Sequence, residues 1–238
     1  MLLLTGCHAS PVDDVTKPAV EAPSGSADIA AFNADQTAPK VTIREGMRMP
    51  AIDGPRAPDL PDAGVEGIFG YRDAAGDHAL LLRRAFRASK SDQDDIEHIV
   101  LSTHLYEVDQ AHDARTGART SVTWHIEDAF ECEGLDFDAD FLPDALRVED
   151  LDGDGRAEVL FGYSSFCGGG IEPREITLIL RAGEHEYRLQ GESLVKPPGD
   201  APAFGGTYAT TPAEVDIPAP LRTALLDAWE RVKHQSIE

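Results

Sequence analysis

The chain has 238 residues, 42% of them hydrophobic, which is enough for one substantial domain with appendages or for two small domains. Its 43 acidic residues outnumber its 21 basic residues, and the formal net charge is −22. A surface of that sign repels nucleic-acid backbones and anionic headgroups and attracts divalent cations, so nucleic-acid binding is not expected. No stretch approaches the roughly 18 apolar residues that a membrane-spanning helix needs.

The N-terminal residues form a short apolar run that ends at a cysteine. The sequence L-T-G-C, with Leu4, Gly6 and Cys7, resembles a bacterial lipobox, in which the cysteine is acylated. We interpret residues 1–7 as the remnant of a lipoprotein signal that lacks its basic region and most of its apolar region. Acyl chains on Cys7 would anchor the protein to a membrane, and His8 favours the outer membrane. The alternative is a fortuitous apolar N-terminus.

Residues 8–62 are rich in Pro, Ala and Asp and show no sustained periodicity. Such a segment has too little apolar content to offset the entropy of ordering, so it is predicted to be a disordered tether. A short strand at 41–44 is a possible exception. The globular domain is predicted to span residues 63–238.

From residue 64 the pattern alternates with period two and turns recur about every ten residues, which is typical of β structure. The predicted strands are 65–72, 78–88, 96–108, 120–130, 145–149, 158–166, 175–181 and 186–192. Turns are predicted at 73–77, 112–117 and 182–185. A helix is predicted at 220–233, with Leu221, Leu225, Leu226 and Trp229 on one face. The predicted fold is mainly β, an antiparallel sheet or sandwich of hairpins with a C-terminal helix.

Residues 150–158 read D-L-D-G-D-G-R-A-E and place carboxylates at alternating positions of a glycine-containing loop. Asp150, Asp152, Asp154 and Glu158 are hard oxygen ligands of the kind that Ca²⁺ takes six to eight at a time. The loop is not an EF-hand, because Phe161 stands at the twelfth position, where that motif needs a bidentate glutamate.

The loop is similar to the nine-residue calcium loops of FG-GAP-type β repeats, which join two strands. This resemblance implies that the four carboxylates bind the ion and that Arg156 contributes its backbone carbonyl. Mg²⁺ is the competing ion, but its strict octahedral geometry suits a flexible carboxylate-rich loop less well. The alternative is an ordinary acidic turn, because Asp and Gly are common turn residues.

Two other groups of aspartates are candidate ligands. Asp136, Asp138 and Asp140 alternate, which is more typical of the solvent face of an extended segment than of a second ion site. The group at positions 92, 94 and 95 is interpreted as a solvated turn.

The three cysteines are Cys7, Cys132 and Cys167. If Cys7 is lipidated and the protein is exported, an even pair remains in an oxidising compartment, where a disulfide forms and persists. A Cys132–Cys167 bridge is therefore predicted. The alternative is two unpaired buried thiols in a cytoplasmic protein.

Several segments of the second half of the chain together carry a family resemblance. They are D-L-D-G-D-G-R-A-E-V, F-G-Y-S-S-F-C-G-G-G-I-E-P, Y-R-L-Q-G and G-G-T-Y, within residues 120–235. The chain resembles a family of uncharacterised bacterial lipoproteins and secreted proteins, some of which are labelled surface polysaccharide biosynthesis proteins. The resemblance implies a β-rich domain of the cell envelope and supplies no catalytic residues.

The sequence contains no motif of a recognised enzyme class, and it favours a non-enzymatic role over catalysis. There is no H-E-x-x-H and no G-x-S-x-G sequence, and the triple glycine at 168–170 lacks the lysine of a phosphate loop. His98 and His104 share a strand face but stand too far apart to chelate a metal. Two hypotheses remain: a calcium-stabilised binding or scaffold lipoprotein with a glycan or envelope-protein partner, or an envelope hydrolase with a structural calcium.

Overall fold

Antiparallel strands make up most of the described chain, in agreement with the predicted fold class. The computed structural model describes residues 42–44, 64–90, 95–109, 119–133 and 135–235. Lipobox residue Cys7, nearly all of the predicted tether and the predicted turn at 112–117 lie outside these residues. None of the described helices is both long enough and apolar enough to cross a bilayer.

The first sheet contains five antiparallel strands in chain order, each paired with the next. They are β1 (Thr42–Arg44), β2 (Gly64–Asp73), β3 (Gly76–Lys90), β4 (Asp95–Asp109) and β5 (Arg119–Glu133). The short strand predicted at 41–44 is thus present as β1. The turn between β2 and β3 is tighter than predicted: only Ala74 and Ala75 lie outside the strands, because Asp73 pairs with Gly76 and Arg72 with Asp77 in the ladder.

The second sheet has the strand order β13-β10-β9-β8-β6, and β7 pairs with β8. The strands are β6 (Asp136–Phe141), β7 (Arg147–Glu149), β8 (Glu158–Gly168), β9 (Glu175–Ala182), β10 (His185–Glu192) and β13 (Tyr208–Thr211). The hairpin predicted from residues 175 to 192 is present, with its turn at Gly183 and Glu184. A short 3-10 turn, Pro143–Ala145, separates β6 from β7.

A small third sheet joins the C-terminal part of the chain. Strand β11 (Leu194–Val195) pairs antiparallel with β12 (Phe204–Gly205) and parallel with β14 (His234–Gln235). A second 3-10 turn, Glu214–Asp216, precedes helix α1 (Ala219–Val232), close to the predicted bounds of 220–233. The sequence analysis predicted none of β11 to β14.

The two large sheets share a hydrophobic core, and the helix covers the other face of the second sheet. Val159 and Phe161 of β8 pack with Leu80 of β3 and Ile99 of β4 between the sheets. Leu160, between them in sequence, joins the cluster that packs against the helix. Alternate residues of a strand point to opposite faces, so Val159, Leu160 and Phe161 form a continuous apolar run in β8 because both faces of the strand are buried there. The described layers are therefore sheet, sheet and helix.

The helix buries the face that its periodicity predicted. Leu221, Leu225 and Trp229 are each at most 2% exposed and pack against the second sheet, whereas Leu226 is half-buried at the edge of the same cluster. Each fully buried side chain of this size contributes about 1.5–3 kcal/mol to folding. Pro220 falls in the first turn, where a missing backbone N–H costs nothing.

The predicted cysteine pair is at disulfide distance. Cys132, near the end of β5, and Cys167, near the end of β8, are bonded, with their Cα atoms 5.7 Å apart. Cys132 is buried, and Cys167 lies at the surface. The bond therefore links the first sheet to the second.

Candidate metal centre

The acidic loop connects β7 to β8, which are antiparallel neighbours with Glu149 opposite Glu158. The chain reverses within the loop at two glycines in the left-handed region, Gly153 with φ 81° and Gly155 with φ 87°. Other residues adopt these angles only with strain. The sequence D-G-D-G thus produces a tight loop that brings its first and last carboxylates together.

The aspartates of the loop accept hydrogen bonds from its own backbone. Asp150 receives the N–H of Gly153 at 2.8 Å on Oδ1 and that of Gly155 at 3.0 Å on Oδ2. The N–H of Asp154 donates to Asp152 at 3.1 Å, and the N–H of Arg156 donates to Asp154 at 2.7 Å. These bonds hold the side chains in fixed positions along the turn.

Glu158 is the buried member of the set, at 3% exposure. Its Oε2 accepts the N–H of Leu151 at 2.7 Å. Burial raises the pKa of Glu158 to about 7; the bond from Leu151 opposes this rise, and the nearby charges of Asp152, Asp154 and Asp150 add to it. A buried carboxylate beside three others is an unfavourable arrangement unless a positive charge joins it.

Three of the five predicted ligand residues converge. Asp150, Asp152 and Glu158 can each offer one carboxylate oxygen, and these oxygens lie within 4.8 Å of one another. Asp154 is not in this group, and its carboxylate instead receives the N–H of Arg156. The structure does not test the predicted role of the Arg156 carbonyl. Three hard oxygens on one side of a loop can hold a divalent cation if carbonyl or water oxygens complete its shell.

A residue that sequence analysis missed attaches this loop to the first sheet. Asp73, at the end of β2, accepts the N–H of Ala157 at 3.0 Å on Oδ2. The next backbone N–H, from Ala74, donates to the carbonyl of Gly155 at 2.9 Å. Both bonds fix the loop at the residues on either side of Arg156. In the sequence, Asp73 looks like an ordinary turn residue.

Asp73 also organises its own hairpin. Its Oδ1 accepts the N–H of Ala75 at 2.8 Å and lies 3.0 Å from Nε2 of His78. The His78 ring in turn stacks on Tyr71, with ring centroids 4.8 Å apart. The side chains of Asp73 and His78 are each less than one-tenth exposed.

A cavity of about 420 Å³ opens beside the acidic loop, and we call it the loop-side pocket. Both sheets and the loop contribute to its walls. Its lining includes Tyr71, Asp73, His78, Trp124, Arg156 and Arg181. The guanidinium of Arg181 lies over the Trp124 ring, 5.5 Å from its centroid.

The remaining candidate ligands have other roles. Asp138 pairs with Arg174, and Asp140 lies 3.1 Å from Arg84, so these carboxylates neutralise arginines along β6. His98 lies 3.2 Å from Glu131. Positions 92 and 94 lie outside the described residues.

Comparison of the chain with protein-family models, with curated proteins and with solved structures finds no match in any of the three.

Proposed function

We propose that the protein is a calcium-stabilised binding module of the bacterial cell envelope, anchored through a lipid on Cys7. The observation that carries the calcium part is the convergence of Asp150, Asp152 and Glu158 within 4.8 Å. A cation there would offset the repulsion among the loop carboxylates and the burial of Glu158.

Calcium fits this loop better than magnesium. Several carboxylates are available within nine residues, and the loop also presents backbone carbonyls that could complete a shell of six to eight oxygens. Magnesium demands a tighter octahedral shell and prefers to keep its waters, so it would gain less from so many carboxylates. The ion would order the loop, and through the bonds of Asp73 and Ala74 it would also order the junction between the two sheets.

The envelope part of the proposal is supported by the lipobox-like residues around Cys7 and by the pairing of Cys132 with Cys167. Disulfides persist in exported proteins and are rare in the reducing cytosol. A binding role, in place of catalysis, agrees with the predicted tether of residues 8–62, which would let the domain reach a glycan or protein partner.

The test is a thermal melt of the full chain in EGTA, then with increasing CaCl₂, and with MgCl₂ as the competing ion. At about 100 times its dissociation constant, a bound ion stabilises a fold by about 2.7 kcal/mol, which raises the melting temperature of a domain of this size by roughly 5–10 °C. We expect that rise with calcium and a smaller one with magnesium.

The double variant Asp152→Ala with Asp154→Ala should abolish the calcium response. The double variant Asp136→Ala with Asp144→Ala removes two exposed carboxylates outside the loop and should keep it. An unchanged melting temperature of the unaltered chain in calcium would refute the proposed ion site. If the protein expressed from its natural gene carries no acyl chain on Cys7, the proposed anchor is refuted.

A further inference from the structure

We propose that the loop-side pocket binds an uncharged, hydroxyl-rich small molecule, with one unit of a saccharide as the simplest case. This inference deepens the proposed binding function and rests on it, but it does not depend on the identity of the ion. A volume of about 420 Å³ lies within the roughly 300–1,000 Å³ range of small-molecule sites.

Two residues of the pocket carry buried nitrogens that have no hydrogen-bond partner among the described residues. They are Nδ1 of His78 and Nε of Arg181. A buried polar atom without a partner is costly, and its presence in two residues around one cavity points to a bound polar group. Both nitrogens are buried, so the ring of His78 and the side chain of Arg181 must turn for a ligand in the pocket to reach them.

The two nitrogens need opposite partners. Nε2 of His78 faces the carboxylate of Asp73 at 3.0 Å, and a carboxylate only accepts; in the tautomer that this contact favours, Nε2 donates and Nδ1 is an acceptor. Nε of Arg181 is always a donor. A hydroxyl group both donates and accepts, whereas an ammonium only donates and a carboxylate only accepts. A ligand with several hydroxyls can satisfy both nitrogens.

The charges around the pocket also favour a neutral ligand. Arg156 and Arg181 line it together with Asp73, Glu107 and Glu184. An anion would meet three carboxylates in a protein of net charge −22, and a cation would meet two guanidinium groups. Two of these charges are already engaged, because Asp73 accepts the bonds described above and Arg181 donates to Glu186 at 3.0 Å.

Apolar surface completes the site. Leu105 and Val159 are buried side chains of the lining, and Trp124 is half-buried there. A saccharide ring presents C–H groups as well as hydroxyls, so it matches a cavity that combines aliphatic and aromatic surface with a few fixed polar groups.

Tryptophan fluorescence provides the assay. The chain has two tryptophans, and Trp229 is buried on the helix side of the second sheet, so a response to a ligand reports Trp124. The full chain is titrated, in calcium and in EGTA, with methyl glycosides of glucose, galactose, mannose and N-acetylglucosamine. Hexylamine and hexanoate serve as charged comparison probes. We expect at least one glycoside to bind with a dissociation constant on the order of 1 mM, as suits a small ligand.

Two variants locate the site. Ala75→Phe places a large side chain at the pocket rim, where Ala75 is exposed, without adding a tryptophan to the assay, and should weaken binding at least tenfold. His78→Phe keeps a ring against Tyr71 but removes the acceptor and should weaken binding about fivefold, the effect of one net hydrogen bond. Ser121→Phe and His125→Phe, at exposed positions of β5 outside the lining, should leave binding unchanged.

If no glycoside binds while calcium still stabilises the fold, the pocket inference is wrong and the proposed ion site stands. Binding that survives Ala75→Phe would place the site elsewhere and overturn the inference. Tighter binding of hexylamine or hexanoate than of any glycoside would also overturn it, because the ligand class would then be charged.

Discussion

Replacing Asp73 with asparagine tests whether one carboxylate holds the acidic loop against the first sheet. The carboxylate accepts N–H groups of Ala157, Ala75 and Gly76 at 3.0, 2.8 and 3.3 Å and also faces His78. An asparagine of the same shape offers only one accepting oxygen. If that oxygen stays toward Ala75, the new amide N–H groups face the N–H of Ala157, and one buried donor loses its partner.

The expected cost follows from these contacts. Leaving one buried donor unsatisfied costs about 1–3 kcal/mol, and the remaining bonds lose the extra strength that a charged acceptor gives. We expect Asp73→Asn to lower the free energy of unfolding by about 3 kcal/mol, which corresponds to a melting temperature roughly 6–12 °C lower. Urea unfolding at pH 7 gives the free energy, and Asp144→Asn, an exposed aspartate, is the matched control.

The stability that Asp73 contributes should also depend on pH. Burial raises the pKa of the Asp73 carboxyl, but the N–H groups of Ala157 and Ala75 and the neighbouring His78 outweigh that effect and hold the pKa below its usual value of 3.8. Its contribution is therefore complete above about pH 4 and is lost as the pH falls below that value toward the lowered pKa. The difference between the natural chain and Asp73→Asn should shrink at pH 3. A difference under about 0.5 kcal/mol at pH 7 would contradict the assigned role.

Three further predictions concern the rest of the fold. Cys132→Ser with Cys167→Ser should lower the free energy of unfolding by about 4 kcal/mol, since the bond closes a 35-residue separation; a loss below about 1 kcal/mol in urea unfolding would contradict this. Burial, with the charges of His125 and Arg83, lowers the pKa of His104 to about 4, so the stability it contributes is complete above pH 6.5 and declines toward pH 4. Between pH 7 and pH 5 the natural chain should lose about 2 kcal/mol more than His104→Phe, while the exposed control His185→Phe should behave like the natural chain. Gly191→Ala should lower the free energy of unfolding by about 2 kcal/mol or more, because the added Cβ would overlap the Thr207 carbonyl and lie 2.8 Å from Trp229. The control Gly170→Ala should leave that free energy unchanged in the same urea unfolding, because its added Cβ meets open space.

The long strands could be predicted from the sequence because alternation is a local signal. Strands β2 to β5 and the hairpin of β9 and β10 extend by only a few residues beyond their predicted bounds. Strand β6 was interpreted only as an extended segment with a solvent face, although Phe137 and Phe141 on its other face pack against the core. Strands β11 to β14 are two to four residues long, and bonds from distant residues define them; the N–H of Leu194, for example, donates to the Lys233 carbonyl at 2.6 Å.

The candidate site, like the fold, can be predicted from the sequence only in part. Its carboxylates lie within nine consecutive residues, so their spacing alone predicts the loop. The hydrogen bond that attaches the loop to Asp73 does not appear in any local pattern, because Asp73 and Ala157 are 84 positions apart and Asp73 looks like a turn residue. The pocket is still less visible in sequence, since its lining comes from both sheets and the loop.

The disulfide between Cys132 and Cys167 and the hydrogen bond between Ala157 and Asp73 connect the two sheets at distant points. Cys167 lies near one end of β8, and Ala157, which Asp73 holds, lies just before the other end, about 30 Å away along an 11-residue strand. Two sheets that are connected at one point can rotate about that point, whereas two distant connections oppose both rotation and sliding of the sheets. Under tension, the oxidised sandwich should therefore respond as one stiff body. Reduction of the sulfur bridge would remove the covalent connection at one end of β8, and the sheets would then be held together there by the noncovalent contacts of their shared core alone.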